Sequence, residues 1–135
     1  MSWYLRVLRK YAVFNGRAQR MEYWMFLLCH VIIIIALGFI GAIVAGFETY
    51  QGPASTFITA ILVIYVFGTA IPILALNVRR LHDTDRSGWY VLIQGIPIIG
   101  GLIWIVFMVQ DSTPGENRFG ANPKEHTEHS QSLID

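Results

Sequence analysis

The sequence predicts an all-α membrane protein, with an N-terminal amphipathic interfacial helix followed by three apolar membrane segments. Hydrophobic residues make up 54% of the 135 residues and charged residues only 14%, whereas soluble domains carry about 25% charged residues. The charges also avoid three runs, at 23–47, 56–76 and 89–109. Each run is as long as the roughly 20 residues that a helix needs to cross a bilayer. These observations predict one integral membrane domain over residues 1–123.

Residues 2–14 show the periodicity of an amphipathic helix. At about 100° per residue, Arg6, Arg9 and Lys10 fall in one sector, and the opposite side carries Trp3, Tyr4, Val7, Leu8, Tyr11 and Phe14. A short basic helix rich in aromatic residues fits the membrane interface, where its cations meet anionic headgroups. The alternative is a helix that packs against the core of the protein itself.

The pair Asn15-Gly16 interrupts this pattern, and Asn15 is predicted to cap a second helix that starts at Arg17. Arg17 and Arg20 would then share a helix face just before the chain enters the membrane. A helix over 23–47 would be ~37 Å long, which exceeds the ~30 Å of a bilayer core. The run is also longer than the apolar part of a cleaved signal peptide.

Small residues recur every fourth position within the first apolar run, at Gly38, Ala42 and Gly46. Such a ridge lets another helix approach closely, although small residues are also frequent in membrane helices in general. We predict a helix-packing ridge at these positions. His30 lies in the same run, where ionisable side chains are costly and often mark a proton or ion path. Because the run contains no acid, we predict a hydrogen-bonded packing role for His30.

Prolines interrupt the other two apolar runs. The second run, 56–76, is predicted to kink at Pro72, and the third, 89–109, is broken at Pro97 and Gly100-Gly101. The third run either crosses the membrane as a kinked span or forms two half-length helices that enter and leave on the same side. The kinked span is preferred, because a run of about 20 residues is the usual length for crossing.

The placement of lysine and arginine sets the orientation. The leader up to residue 22 carries five of them, the turn at 48–55 none, the loop at 77–88 three and the tail two. This places the N-terminus and the 77–88 loop in the cytoplasm. Three full spans would put the tail outside, whereas a re-entrant third segment would leave it on the cytoplasmic side. Residues 124–135 are predicted to be disordered, and a solvated tail is favoured over a loose metal site for His126, Glu128 and His129.

The polar segment between the second and third runs contains His82, Asp83 and Asp85. An imidazole beside carboxylates is typical of a general base or a metal site, but a metal site needs three or four convergent ligands. We instead predict that Asp83 or Asp85 pairs with a nearby arginine. The single cysteine, Cys29, allows no internal disulfide and no cysteine zinc cluster. No catalytic residue, cofactor or metal is predicted.

The basic residues near the membrane entry form the candidate binding site. We predict a polar cluster that binds anionic lipid headgroups or a partner protein, consisting of Arg17, Arg20, Arg79, Arg80, His82, Asp83 and Arg118. The same cations could instead serve only to fix the orientation of the protein. Nucleic acid is not a predicted partner, because the basic residues are few, lie at the membrane edge and are matched by acids.

Several groups of residues resemble one known family. They are Phe14-Asn15-Gly16-Arg17-Ala18-Gln19-Arg20-Met21-Glu22-Tyr23-Trp24, Arg79-Arg80-Leu81-His82-Asp83 with Ser87-Gly88-Trp89, Pro97 with Gly100, and Asn117-Arg118-Phe119-Gly120 with Pro123. In this order they resemble the small bacterial inner-membrane proteins grouped as domain of unknown function 805. The resemblance implies a multi-pass bacterial inner-membrane protein and no established reaction. This chain departs from the family pattern at Asp85, where glycine is usual, and in its longer acidic tail.

The sequence therefore predicts an integral inner-membrane protein that acts as a non-enzymatic scaffold or accessory component. An oligomeric transport or permeation component is the alternative, because discontinuous helices such as the third run often line substrate sites. A membrane enzyme that uses His82 and Asp83 is the third hypothesis. The predicted partners are anionic membrane lipids, a membrane partner protein or a second copy of the chain.

Overall fold

The computed structural model describes residues 2–47 and 52–124. In chain order it contains helix α1 (Ser2–Arg9), helix α2 (Arg20–Phe47), helix α3 (Pro53–Asp83), a 3₁₀ helix (Gly88–Gly95) and helix α4 (Ile99–Val109). These ranges contain no β-strand, only an isolated bridge between Asn117 and Gly120. The predicted all-helical class is confirmed. The predicted disorder of 124–135, and the histidine pair in that tail, lie outside the described residues except for Lys124.

Helices α2 and α3 are long and apolar enough to cross a membrane. They contain 28 and 31 residues, or about 42 and 46 Å of helix, against a hydrocarbon core of about 30 Å. Only 6% and 11% of their most apolar stretches are buried inside the protein. Apolar helices of a soluble core would be buried, so this exposure fits helices that face lipid. The first two predicted spans are therefore found within these two helices.

Two predicted helix boundaries near the N-terminus are wrong. Helix α1 ends at Arg9 instead of continuing to Phe14, because tighter turns follow it: the Lys10 N–H donates to the Val7 carbonyl at 3.0 Å and the Val13 N–H to the Lys10 carbonyl at 3.2 Å, each across three residues. Helix α2 begins at Arg20 and not at Arg17, so Asn15 caps nothing there. The intervening segment crosses over α3, where the Ala18 N–H donates to the Arg79 carbonyl at 3.0 Å.

Helix α3 runs through Pro72 and continues to Asp83, so the first half of the polar segment after the second run is helical. Pro72 has no N–H, and the Gly68 carbonyl four residues earlier therefore lacks its helical partner. The Tyr11 hydroxyl donates to that carbonyl at 2.6 Å. The segment after α1 thus supplies the hydrogen bond that the proline removes.

The third apolar run is divided into two short helices. At the break, the Ile99 N–H donates to the Pro97 carbonyl at 2.7 Å, and Ile98 between them has φ 66°. Gly100 lies so close to the 3₁₀ helix that a Cβ there would be 2.0 Å from the Ile93 carbonyl oxygen. Helix α4 has 11 residues, about 16 Å of helix. The structure therefore does not confirm a third span of full length.

Both ends of the third run lie against the C-terminal turns of α3. At the start of the run, a Cβ on Gly88 would be 2.8 Å from Cγ1 of Val78. At its end, the Arg80 guanidinium donates to the carbonyls of Met108 and Gln110. The run consequently leaves this end of the helix bundle and returns to it.

The buried core gathers at the same end of the bundle. Tyr4 of α1 stacks on Phe26 of α2, with ring centroids 4.9 Å apart, and Trp104 Nε1 of α4 donates to the Tyr23 hydroxyl at 3.2 Å. The core consists of Val7, Ala18, Tyr23, Phe26, Leu76, Leu81, Trp104 and Met108. The inner face of α1 thus packs on the protein, while Leu5, Arg6, Arg9 and Lys10 remain exposed.

Candidate functional site

Asp83, in the last turn of α3, is the centre of a buried polar cluster. Its Oδ1 accepts a hydrogen bond from Arg17 Nε at 3.0 Å, and its Oδ2 accepts from Arg80 Nη1 at 2.5 Å and from the Ser112 hydroxyl at 2.6 Å. The three charged side chains are at most 1% exposed. One buried carboxylate is therefore shared by two guanidinium groups that come from different parts of the chain.

Arg17 joins the N-terminal segment to the loop that follows α4. Its Nη1 donates to the carbonyls of Gly115 and Gly120 at 2.8 and 3.2 Å, and its Nη2 donates to the Thr113 carbonyl at 2.7 Å. Together with the bond to Asp83, these contacts use all three guanidinium nitrogens. Arg17 is thus an internal connector and has no free face for a ligand.

Arg80 caps the C-terminal end of α4. Its Nε and Nη2 both lie 3.4 Å from the Met108 carbonyl, and Nη2 also donates to the Gln110 carbonyl. The last carbonyls of a helix have no partner within the helix, and a cation there also offsets the negative end of the helix dipole. Arg80 therefore fixes the returning end of the third run to α3.

Arg79 ties α3 to the first turn of α2. Its Nη1 donates to Glu22 Oε1 at 3.0 Å, with both side chains at most 5% exposed. Its Nε and Nη2 are buried and have no hydrogen-bond partner in the described part of the chain. Buried N–H groups without a partner are costly, which makes Arg79 the least satisfied member of the cluster.

His82 and Arg118 form the edge of the cluster. The His82 ring stacks on Phe119 with a centroid separation of 3.8 Å, and its Nδ1 donates to the Gly16 carbonyl at 3.3 Å. The Arg118 guanidinium lies over the Phe119 ring, 4.8 Å from its centroid, and its Nε donates to Asp85 Oδ1 at 3.1 Å. Asp85 has φ 55°, a conformation that glycine adopts without cost and aspartate tolerates better than most residues.

Exposed charges surround the buried cluster. Arg20 lies 4.0 Å from Asp111, with both side chains about half exposed, and Lys124 also bonds to Asp111. The hydrogen bond from Lys124, and then the one from the Ser112 N–H, hold the pKa of the Asp111 carboxyl below its ordinary value. These contacts extend the site to Lys124, the last residue that the structure describes.

The structure brings most of the predicted cluster together but changes the role of its arginines. Arg17, Arg80, His82, Asp83 and Arg118 belong to one network, Arg79 lies beside it, and Arg20 lies on its exposed edge. The prediction that Asp83 or Asp85 pairs with an arginine is confirmed for both. In contrast, Arg17, Arg79 and Arg80 are buried inside the protein and do not face lipid headgroups. Arg17 and Arg80 bind Asp83 and backbone carbonyls, and Arg79 binds Glu22.

Sequence reasoning missed the contribution of the loop after α4. Ser112 and Thr113 bind Asp83 and Arg17, and the Asn117 amide donates to the His82 carbonyl at 2.9 Å. The turn residues 111–115 and the compact group 117–120 were visible in the sequence. Their hydrogen-bond partners could not be predicted, because any residue type can supply the backbone carbonyl that accepts from a distant arginine.

A second hydrogen-bonded chain lies on the membrane side of the cluster. Tyr4 and Tyr65 share a hydrogen bond of 2.9 Å between their hydroxyls, and Tyr65 is also 2.9 Å from His30 Nδ1. His30 therefore has the hydrogen-bonded packing role that was predicted. Among the described residues, no group of three His, Cys, Asp or Glu side chains is placed to hold a metal ion.

Comparison with known proteins relates the chain to inner membrane proteins. The family model described as "Protein of unknown function (DUF805)" matches residues 11–121. "Inner membrane protein YhaH" of Escherichia coli (strain K12) is 49% identical over 124 residues, which cover 92% of this chain and 98% of the relative. "Inner membrane protein YhaI" of the same strain is 43% identical, covering 92% and 97%. No solved structure gives a significant match.

Proposed function

Since the chain belongs to the DUF805 family and is an inner membrane protein, we propose that it is a non-enzymatic scaffold or accessory component whose cytoplasmic face binds anionic lipid headgroups. One observation carries this proposal. All ten lysine and arginine residues lie within 6–20, 79–86 and 118–124, and contacts around Asp83 and Asp111 draw these three segments to one end of the bundle. A one-sided concentration of cations is typical of a surface that meets anionic lipids.

The same observation supports a membrane topology with a re-entrant third segment. Lysine and arginine accumulate on the cytoplasmic side of inner membrane proteins. With α2 and α3 as the two spans, the N-terminal segment and the C-terminal end of α3 share that side. The bonds from Arg80 to the end of α4, and from Arg17 to 113–120, then keep the residues after α4 on the same side. The third run enters the membrane and returns.

Exposed cations, and not the buried arginines, would contact the lipid. The outer face of α1 carries Arg6, Arg9 and Lys10 with the exposed apolar side chain of Leu5, as in a helix that lies in the interface. Each Lys or Arg near an anionic membrane surface contributes about 1 kcal/mol. The buried arginines instead hold the segments in place, so that α1 is presented at the membrane surface.

Lipid retention tests this function. We would purify the protein in mild detergent and measure by native mass spectrometry how much phosphatidylglycerol, relative to phosphatidylethanolamine, remains bound. Arg6→Gln, Arg9→Gln and Lys10→Gln together should reduce the anionic excess strongly, whereas Arg6→Lys with Arg9→Lys, which keeps both charges, should not. An unchanged anionic excess in the neutral variant would overturn the proposal, provided that its thermal unfolding matches that of the wild type.

The oligomeric transport or permeation hypothesis remains the second candidate, because no other described part of the chain packs against the two glycines of the predicted ridge. Gly38 and Gly46 have no other atoms within 4 Å of a Cβ built on them, whereas Gly41 meets Ile58 at 3.4 Å. A groove of about 560 Å³ lies beside Gly38 and Ala42 between α2 and α3. Ala42→Leu should disrupt an oligomer that packs there, and a protein that is monomeric in mild detergent would contradict this candidate.

A further inference from the structure

We infer that the groove between the N-terminal segment, α3 and the 3₁₀ helix is a site for one anionic glycerophospholipid molecule. One acyl chain would lie along Leu74 and Val78, and the headgroup would lie at His82 and Ser87. This inference rests on the proposed function and deepens it, because it names a single built site and its ligand class. The groove has a volume of about 380 Å³ and is lined by Phe14, Leu74, Val78, His82, Ser87, Gly88, Trp89 and Val91.

The groove changes from apolar to polar along the axis of α3. Leu74, Val78 and His82 follow each other at intervals of four residues, and therefore lie on one face over about 12 Å. Leu74 is 43% exposed and lies towards the membrane span, while His82 is in the last turn of the helix. A ligand that fills the groove must be apolar at the Leu74 end, towards the membrane interior, and polar at the His82 end. A phospholipid in the leaflet has this orientation, with its acyl chains inside and its headgroup at the surface.

Two polar groups at the polar end of the groove, Nε2 of His82 and the hydroxyl of Ser87, have no hydrogen-bond partner among the described residues. The His82 ring is held by Nδ1, which donates to Gly16, so that Nε2 points away from this bond towards Gly88; a Cβ on Gly88 would be 3.5 Å from it. The Ser87 hydroxyl precedes the 3₁₀ helix but makes no capping bond. Because Nδ1 carries the proton, Nε2 of the neutral ring is an acceptor and can bind a glycerol hydroxyl of a headgroup, whereas the Ser87 hydroxyl can donate to the phosphate.

Positively charged side chains lie near the polar end of the groove and favour an anionic ligand. The Arg118 guanidinium lies over Phe119, which in turn stacks on His82, and the Arg86 guanidinium next to Ser87 lies 4.3 Å from the Phe107 ring centroid. Arg118 is paired with the exposed carboxylate of Asp85, so these two charges offset each other. Asp83 is buried and shared by two arginines. A phosphodiester at Ser87 would therefore meet the positive charge of Arg86, which forms no ion pair among the described residues.

The walls of the groove are suited to an acyl chain. Gly88 lets the 3₁₀ backbone approach α3, since any side chain there would collide with Val78. Trp89 on one wall is 78% exposed and Phe14 on the other is 37% exposed. Aromatic side chains at this level are typical of the membrane interface, where one edge meets lipid tails and the other meets headgroups. A soluble anion such as inorganic phosphate would use none of these apolar contacts.

Lipid titration with groove variants tests this inference. We would titrate the detergent-purified full chain with dioleoyl phosphatidylglycerol, with dioleoyl phosphatidylcholine and with inorganic phosphate, and count bound molecules by native mass spectrometry. The wild type should bind one phosphatidylglycerol more tightly than the rest, and millimolar phosphate should not displace it. Ser87→Ala should weaken this first binding about tenfold, as expected for the loss of one hydrogen bond to a charged group. Leu74→Trp should abolish it by filling the groove.

Two controls separate this site from general attraction to the basic face. Leu102→Trp on α4, at a position that is 64% exposed and outside the groove, should leave the first binding unchanged. The neutral α1 variant (Arg6→Gln, Arg9→Gln and Lys10→Gln) should lose the weaker, further anionic lipids and keep the first. If neither Leu74→Trp nor Ser87→Ala weakens the binding of the first lipid, the inference is overturned. If the α1 variant still loses anionic lipid in that case, the proposed function stands without the groove site. A groove occupied by a polypeptide in the purified protein would overturn it as well.

Discussion

Arg17 and Asp83 are 66 residues apart in the sequence and are joined by a hydrogen bond of 3.0 Å between Nε and Oδ1, inside the protein. The pair connects the N-terminal segment to the end of α3, and the remaining donors of Arg17 hold the loop after α4. Burying two charges costs more than a single ion pair returns unless the other donors are also satisfied. Here they are, so the pair works as a joint between three segments.

Removing the charge of Asp83 should destabilise the protein strongly. Asp83→Asn would leave Arg17 and Arg80 buried without their shared anion, and breaking a buried pair in this way typically costs about 3–5 kcal/mol. Thermal unfolding of the detergent-solubilised protein measures the effect. Asp85→Asn is the matched control, because its pair with Arg118 is half exposed and such pairs contribute about 0–1 kcal/mol. Equal effects of the two variants would contradict the central role of Asp83.

Replacing arginine by lysine should separate the two kinds of buried arginine. Arg17→Lys keeps the charge but loses most of the bonds that the guanidinium makes to Asp83, Thr113, Gly115 and Gly120, so a loss of several kcal/mol is expected. Arg79→Lys removes two donor nitrogens, Nε and Nη2, that have no partner among the described residues, and can keep the pair with Glu22. Its unfolding temperature should therefore fall much less. A larger fall for Arg79→Lys would show that its guanidinium has partners that the described contacts do not include.

The sequence was sufficient to predict the membrane helices, because length and the absence of charge decide them. It also predicted that acids would pair with the arginines of the polar segment. The burial of Arg17 and Arg80 could not be predicted, since most of their acceptors are backbone carbonyls of 108–120 that only the return of the third run brings near. The start of α2 was missed for a similar reason: the Ala18 N–H bonds to α3 across the fold, which overrides the local capping signal of Asn15.

Adjacent glycines in α4 should respond differently to alanine. A Cβ on Gly100 would lie 2.0 Å from the Ile93 carbonyl oxygen, whereas one on Gly101 meets no other atoms within 4 Å. Gly100→Ala must therefore separate the 3₁₀ helix from α4 and should lower the unfolding temperature clearly. Gly101→Ala should be neutral or slightly stabilising, because alanine favours the helix by about 1 kcal/mol. Similar unfolding temperatures for both variants would argue against the tight turn at the break.

The re-entrant topology predicts that the loop after α4 is inaccessible from outside the cell. In a Cys29→Ser background, a cysteine replacing the exposed Glu116 should react with a membrane-impermeant thiol reagent only after permeabilisation. A cysteine replacing Ala54, at the opposite end of α3, should react in intact cells and serves as the control. Labelling at 116 in intact cells would instead require a third span and would place Arg118 on the opposite side of the membrane from Arg6 and Arg9.

Tyr11 and Pro72 should be energetically coupled, although they belong to different elements. Tyr11→Phe leaves the Gly68 carbonyl without a donor and should cost about 1 kcal/mol. In a Pro72→Ala background the new N–H at position 72 can bond to that carbonyl within the helix, so the same tyrosine substitution should cost much less. A double-mutant cycle on unfolding free energies isolates this coupling from the packing that each variant also loses. A cost of Tyr11→Phe that is the same in both backgrounds would mean that the tyrosine stabilises the protein through its ring and not through the proline's missing hydrogen bond.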